Sequence, residues 1–407
     1  MVSAMNDIRI YWLWLVIVFG PANPRIWRLS KHYDNAEHFV KALLDDTIEE
    51  LTGKEKNRIK KIKFSDARKL LEYCNEKGIN VYCYESEGYP EKLRGISNPP
   101  CVLFCYGNLD FWGDRVNIAV VGTRNPSDYS VSITEKICRE LVKAKIIIST
   151  GFALGIDQVA NMAVLKENTT TLAVCGKSID EDYPKDSYEM KMQIAKNGAV
   201  ISEYYPTCKP LNNSFKNRNR ILIGLCDGVL FCECSADSKG LDNALQATTL
   251  GKPIFVVPPC DILDKRYFGQ RNLIRSGGIC TFGSEDILYN LSFDNSEKLG
   301  VIKRIGEYAS ADRSVLFYED KPKKTHRKKK INQTKNVEEK KELNISYENL
   351  NPLQIKICKV LESKNLMADE IALLTGEDIT DILSELIDLE IEGVVKSLAG
   401  KMYGLTD

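Results

Sequence analysis

Apolar positions along the chain follow two different periods. From residue 117 to about residue 290, short unbroken apolar runs recur: Ile118-Ala119-Val120-Val121, Ile146-Ile147-Ile148, Leu172-Ala173-Val174, Ala199-Val200-Ile201, Val229-Leu230-Phe231 and Ile254-Phe255-Val256-Val257. Helical patterns of about ten to fifteen residues separate them, which is the signature of parallel strands buried on both faces. The spacing predicts a doubly wound α/β domain with a mostly parallel sheet. Two further strands, over 80–84 and 102–106, precede it, separated by Tyr89-Pro90 and Asn98-Pro99-Pro100 turns. Residues 8–75 show helical periodicity with Lys/Arg-rich turns. The run Ile10–Phe19 is about half the length of a spanning helix and ends at Gly20-Pro21, so it predicts a buried helix rather than a membrane anchor or signal peptide.

Helical periodicity resumes over 350–405. Leu353, Ile357, Val360 and Leu361 form one stripe; Ile371, Ala372 and Leu374 lie on a second helix; Ile382, Leu383, Leu386, Ile387 and Leu389 lie on a third. Short strands at 394–397 and 401–403, around Gly400, complete a winged-helix pattern. Its third helix carries Asp381, Glu385, Asp388, Glu390 and Glu392, a poor surface for reading a duplex, so protein contact or plain architecture is expected there. Residues 321–341 are lysine-rich and nearly free of apolar positions, reading as a disordered basic linker that is either a solvated spacer or a nonspecific polyanion contact. The expected domains are 1–78 (helical), 79–295 (α/β), 296–349 (linker) and 350–407 (winged helix).

Lysine plus arginine balances aspartate plus glutamate at 56 each, so attraction for a polyanion must come from a local patch. Thirteen cysteines, an odd number with no Cys-x-x-Cys pair, point to reduced buried thiols in a cytosolic protein. The three histidines, His32, His38 and His326, all lie outside the α/β region. Ser–His or Cys–His nucleophiles and imidazole metal sites are therefore unavailable in it. Glu203 and Glu233 fall at strand ends as possible bases, but neither has an obvious acidic partner.

Three segments carry candidate chemistry. Gly122-Thr123-Arg124 follows the first strand of the α/β region, where ligands line the crevice, and Arg124 suits a phosphate. Thr150, Gly151 and Gly155 follow the second, with a helix starting near Gly155; Asp157 in its first turn reads as a dipole contact. In Phe215-Lys216-Asn217-Arg218-Asn219-Arg220-Ile221, a helix beginning at Arg218 puts Arg218, Ile221, Leu222 and Leu225 on one face. An arginine on that stripe at a helix start predicts an anion site.

Read together, Gly122-Thr123-Arg124-x-x-Ser127-x-Tyr129, Gly151-x-Ala153-x-Gly155-Ile156-Asp157, Asp180-x-x-Tyr183-Pro184, Ser202-Glu203-Tyr204, Phe215-x-x-Arg218-Asn219-Arg220 and Leu273-Ile274-Arg275-x-Gly277 resemble the bacterial DNA-processing protein A family (DprA, also called Smf). The resemblance extends into the C-terminal region through Leu386-x-x-Leu389-Glu390-x-x-Gly393-Val394-Val395. It implies an extended Rossmann-like α/β fold between a small helical domain of the SAM or helix-hairpin-helix kind and a winged helix. It also implies a cytoplasmic homodimer, bound to no membrane, that binds single-stranded DNA and helps load the RecA recombinase during natural transformation. Catalysis, a cofactor and a metal are not expected. The implied DNA-binding residues are Gly122, Arg124, Gly151, Gly155, Phe215, Arg218 and Arg220; Thr123, Asn219 and the added cations Lys177 and Lys216 are expected to join them. Phe215 suits stacking on an unpaired base.

The chain departs from the family pattern at Asn161 (usually histidine), Lys177 (usually small), Lys216 (usually proline) and Arg271 (usually asparagine), and over Ser238–Ala244, where Lys239 adds another charge. Two other classes remain open at this level. One is a nucleotide-processing hydrolase of similar architecture, although the Gly-Gly-x-Gly-Thr loop it needs is missing. The other is a duplex-DNA regulator working through the winged helix.

Overall fold

The computed structural model describes residues 7–111, 115–209, 211–294, 350–362, 365–398 and 402–406. These form two compact units, one containing everything described up to Asp294 and the other everything from Leu350. The linker expected over 296–349 lies outside the described residues.

Helices α1 (Ile8–Phe19), α2 (Arg25–Ser30), α3 (Ala36–Leu44), α4 (Gly53–Lys61) and α5 (Phe64–Glu76) open the first unit. Their starts are written locally. The Asp7 side chain accepts from the Arg9 N–H, Asn35 from His38, and Thr52 and Glu55 form a reciprocal capping box. Helix α1 is apolar around nearly its whole circumference and is buried accordingly. Its core continues without a break through Val81, Val102, Phe104, Ala173 and Val200. The helices expected to stand apart over 1–78 thus share one core with the sheet.

The sheet begins with β1 (Asn80–Cys83), α6 (Glu91–Arg94) and β2 (Val102–Gly107). Alternation follows: β3 (Asn117–Val121), α7 (Asp128–Lys143), β4 (Ile147–Thr150), α8 (Ile156–Lys166), β5 (Thr171–Cys175), α9 (Tyr188–Asn197) and β6 (Ala199–Ser202). Then come α10 (Ser214–Leu225), β7 (Gly228–Phe231), α11 (Asp242–Thr249), β8 (Ile254–Val256), α12 (Phe268–Arg275), β9 (Ile279–Cys280) and α13 (Ser284–Asp294). The nine strands run in the order β1-β2-β6-β5-β4-β3-β7-β8-β9. From β6 to β9 all neighbours are parallel, whereas β2 is antiparallel to both β6 and β1. Strand order reverses around β3, so a crevice opens at the carboxyl ends of the central strands. Because β2 runs against β6, with Phe104 opposite Ser202, the loop before β2 also arrives at that end.

The second unit holds α14 (Pro352–Leu361), β10 (Leu366–Met367), α15 (Ala368–Thr375), α16 (Ile379–Ile391), β11 (Val395–Leu398) and β12 (Met402–Leu405), with strand order β10-β12-β11. Ile357, Ile371, Ile382, Leu386 and Leu389 close its core. The two-residue strands β9 and β10 were not anticipated, being too short to show a period. Helix α10 starts one turn earlier than its apolar stripe suggests, because Asn213 takes a left-handed conformation (φ 64°) and turns the chain in at Ser214.

Candidate nucleic-acid interface

The loops after β3 and β4 are built against each other. The Ile156 N–H donates to the Thr123 carbonyl at 3.1 Å. Gly155 sits between them at φ 77°, where an added Cβ would stand 2.4 Å from the Thr123 oxygen and 2.5 Å from that of Arg124. Gly122 is likewise pressed against Ile156, and the Thr123 N–H is given to the Glu233 carbonyl at 2.8 Å. Gly122, Thr123 and Gly155 therefore serve the packing of the crevice wall, while Arg124 stands exposed beyond it. Asp157, in the first turn of α8, accepts from the Ala153 N–H at 3.1 Å and interacts with that of Gly151. Its burial pushes the carboxyl up from its ordinary range, against the pull of Arg218, those N–H groups and Arg124.

Arg218 projects from α10 to the carboxyl ends of β4 and β5. It is 7% exposed and donates from Nη1 to the Val174 carbonyl at 2.8 Å. Its guanidinium lies against Gly151, so close that a Cβ there would be 1.9 Å from Nη1. Burial lowers its pKa, Asp157 works in the opposite direction, and Nε finds no protein acceptor. The helical stripe read from the sequence is present, with Ile221, Leu222 and Leu225 buried beside it. Arg218 nevertheless lies in the second turn of α10, so the end of that helix does not make the site.

Arg220 is a different matter. Two residues on, it projects about 200° around the helix and pairs with Glu203, Nη2 lying 2.6 and 2.5 Å from the two carboxylate oxygens. Glu203 is 3% exposed. The structure therefore does not bring Arg220 to Arg218 and Arg124, because a buried carboxylate holds it on another face.

The third wall follows β5. Lys177 bonds Glu181 at 3.1 Å and lies 5.4 Å from the centre of the Tyr183 ring. Tyr183 in turn packs on Phe215, with centroids 5.2 Å apart. Gly176 makes room, since a Cβ would come within 2.8 Å of the Phe215 ring. Both rings are half-buried, leaving an aromatic surface beside a cation. Tyr183 is the residue that sequence reasoning passed over; its place in the Asp180-x-x-Tyr183-Pro184 string was the available signal. Lys216 is exposed, 3.7 Å from Asp242, and Asn219 is half-buried. Of the departures, Asn161 is buried with Oδ1 accepting from Thr150 and Nδ2 unpaired. Arg271 instead lies over the Phe268 ring at 4.0 Å, bonding to the Ile262 carbonyl.

In α16, Asp381, Asp388 and Glu390 are exposed. Glu233 is occupied by the N–H and hydroxyl of Ser127 at 2.9 and 2.7 Å. Among the described residues no helix is long and apolar enough to cross a membrane.

The family model described as DNA recombination-mediator protein A matches residues 80–292, and that of the DprA winged helix domain matches 346–401. Protein Smf of Synechocystis is 29% identical over 411 residues, covering 98% of this chain and 99% of the relative. The X-ray structure of DNA processing protein A from Streptococcus pneumoniae aligns with a TM-score of 0.61 at 28% identity, over 68% of this chain and 97% of that one. A structure of DNA processing protein A from Helicobacter pylori, described for its single-stranded DNA binding mode, aligns at 29% identity with a TM-score of 0.48, over 53% of this chain and 96% of that one.

Proposed function

The chain belongs to the DNA recombination-mediator protein A family, and from that premise we propose that it binds single-stranded DNA without sequence preference, in the crevice at the carboxyl ends of β3, β4 and β5. The observation that carries this reading is the guanidinium of Arg218, buried on Gly151 between exposed Arg124 and the Lys177–Tyr183–Phe215 cluster. Cations at a narrow strand-end crevice suit phosphates, and an adjacent aromatic face suits an unpaired base. A duplex keeps its bases stacked and offers none to Phe215.

The protein acts by binding rather than by turnover. Glu203 and Glu233, the carboxylates placed to act as bases, are engaged by Arg220 and by Ser127, respectively. The role extends to a cytoplasmic homodimer that helps load RecA, supported by the family's description as a recombination mediator and by thirteen free thiols. Binding of labelled single- and double-stranded oligonucleotides at two salt concentrations tests the core of the reading. Single strands should bind more tightly, with log K falling about 0.7 per phosphate engaged against log salt, and Arg218→Ala should weaken that binding. Preference for duplex, or full affinity in a folded Arg218→Ala protein, would overturn it.

A further inference from the structure

Past β6 the molecule offers a second concave site of related chemistry. Glu203, which holds Arg220, also accepts from the backbone N–H of Ala22. The register of β2 against β6 brings the loop ending at Cys101 to the same end of the sheet. Beyond Ala22, α2 and this loop enclose a cleft of about 480 Å³ lined by Pro24, Arg25, Trp27, Arg28, Lys31 and Asn98. Three cations line it and no carboxylate does. Arg25 is occupied by Glu55 and the Glu50 carbonyl. Arg28 and Lys31 are exposed and form no ion pair among the described residues.

Trp27 is fixed in place. Its Nε1–H donates to the Pro99 carbonyl at 2.7 Å, and the Trp12 and Tyr84 rings pack on it at 5.5 and 4.6 Å. It stays half-buried, whereas Trp12 and Trp14 are buried. A rigid indole with two exposed cations beside it matches one unpaired base and its flanking phosphates. We propose that this cleft is a second nucleotide subsite, taking single-stranded DNA that leaves the crevice past β6. This rests on the crevice being the primary strand path, which it lengthens onto the N-terminal helices.

The test uses the full chain with oligonucleotides of about 6 and about 20 nucleotides, bracketing the ~4–16-nucleotide footprints of single-strand grooves. Arg28→Ala/Lys31→Ala should bind the short strand like wild type and the long one more weakly. Losing two phosphate contacts lowers the salt slope for the long strand by about 1.4, so its deficit relative to wild type shrinks about sevenfold between roughly 50 and 200 mM salt. The long strand should quench a tryptophan signal that the short strand leaves alone, and Trp27→Phe should abolish that quench. Wild-type affinity and slope for the long strand in the double variant would overturn the subsite, as would a quench that survives Trp27→Phe. If wild type binds neither strand, the crevice reading falls first and the subsite falls with it.

Discussion

Replacing Arg220 with alanine should separate folding from binding. Glu203 is 3% exposed, and both its oxygens lie within hydrogen-bond distance of Arg220 Nη2. Burial already pushes its carboxyl up against the pull of that arginine. Truncation leaves the carboxylate buried beside Tyr89 and Cys101, whose own groups feel its charge. Breaking a buried pair in this way typically costs about 3–5 kcal/mol, which for a unit of this size is roughly 5–8 °C in Tm. Thermal unfolding followed by circular dichroism reads the loss. Replacing both partners by apolar residues, Glu203→Leu with Arg220→Met, should recover most of it, since no charge is then stranded. Titration with a short single-stranded oligonucleotide, well below the lowered Tm, should find the affinity of Arg220→Ala nearly unchanged. A variant as stable as wild type that no longer binds would show Arg220 facing the strand and refute the reasoning.

Phe215→Ala should weaken binding about 5- to 150-fold through lost stacking, while Phe215→Tyr keeps most of it; fluorescence anisotropy with short oligonucleotides checks this. Gly151→Ala puts a methyl where the Arg218 guanidinium lies, so binding should fall about tenfold or more with the circular dichroism spectrum unchanged. Asp157 has a folded pKa above its ordinary 3.8, so the folded state holds the proton more tightly than the unfolded one. Its ionisation therefore costs stability as pH rises from about 4 through the folded pKa, and Asp157→Asn should remove that slope in denaturant titrations across the window. Deleting residues 350–407 should leave single-strand affinity in place; loss of all DNA binding would move the function to the winged helix.

The fold was legible because its strands are buried on both faces and so write continuous apolar runs, and because α1 is apolar all round. Arg218 was legible for a related reason, as a charge on an apolar stripe. Arg220 was not, because periodicity gives the direction of a side chain but not what waits there. Its partner Glu203 is 17 residues away in sequence, on the loop after β6. Gly122 and Gly155 look like phosphate-binding turns, and what a side chain would meet there is Ile156 and the carbonyls of the facing loop. A sequence marks where a side chain is excluded; only the packing says whether a ligand or another loop excludes it.

Asp157 gives the crevice its character. A guanidinium as buried as that of Arg218 costs several kcal/mol to desolvate unless a counter-charge attends it, and Asp157 supplies one from the first turn of α8. The same carboxylate already engages N–H groups of the β4–α8 loop that a phosphate would otherwise take. At the proposed site an incoming phosphate would compete with Asp157 for Arg218 and for that loop, so the affinity would be the difference between two charge-assisted arrangements. Such a difference is small per nucleotide, accumulates along a strand and falls with salt. A grip of that kind suits a protein that must hold strands of many sequences.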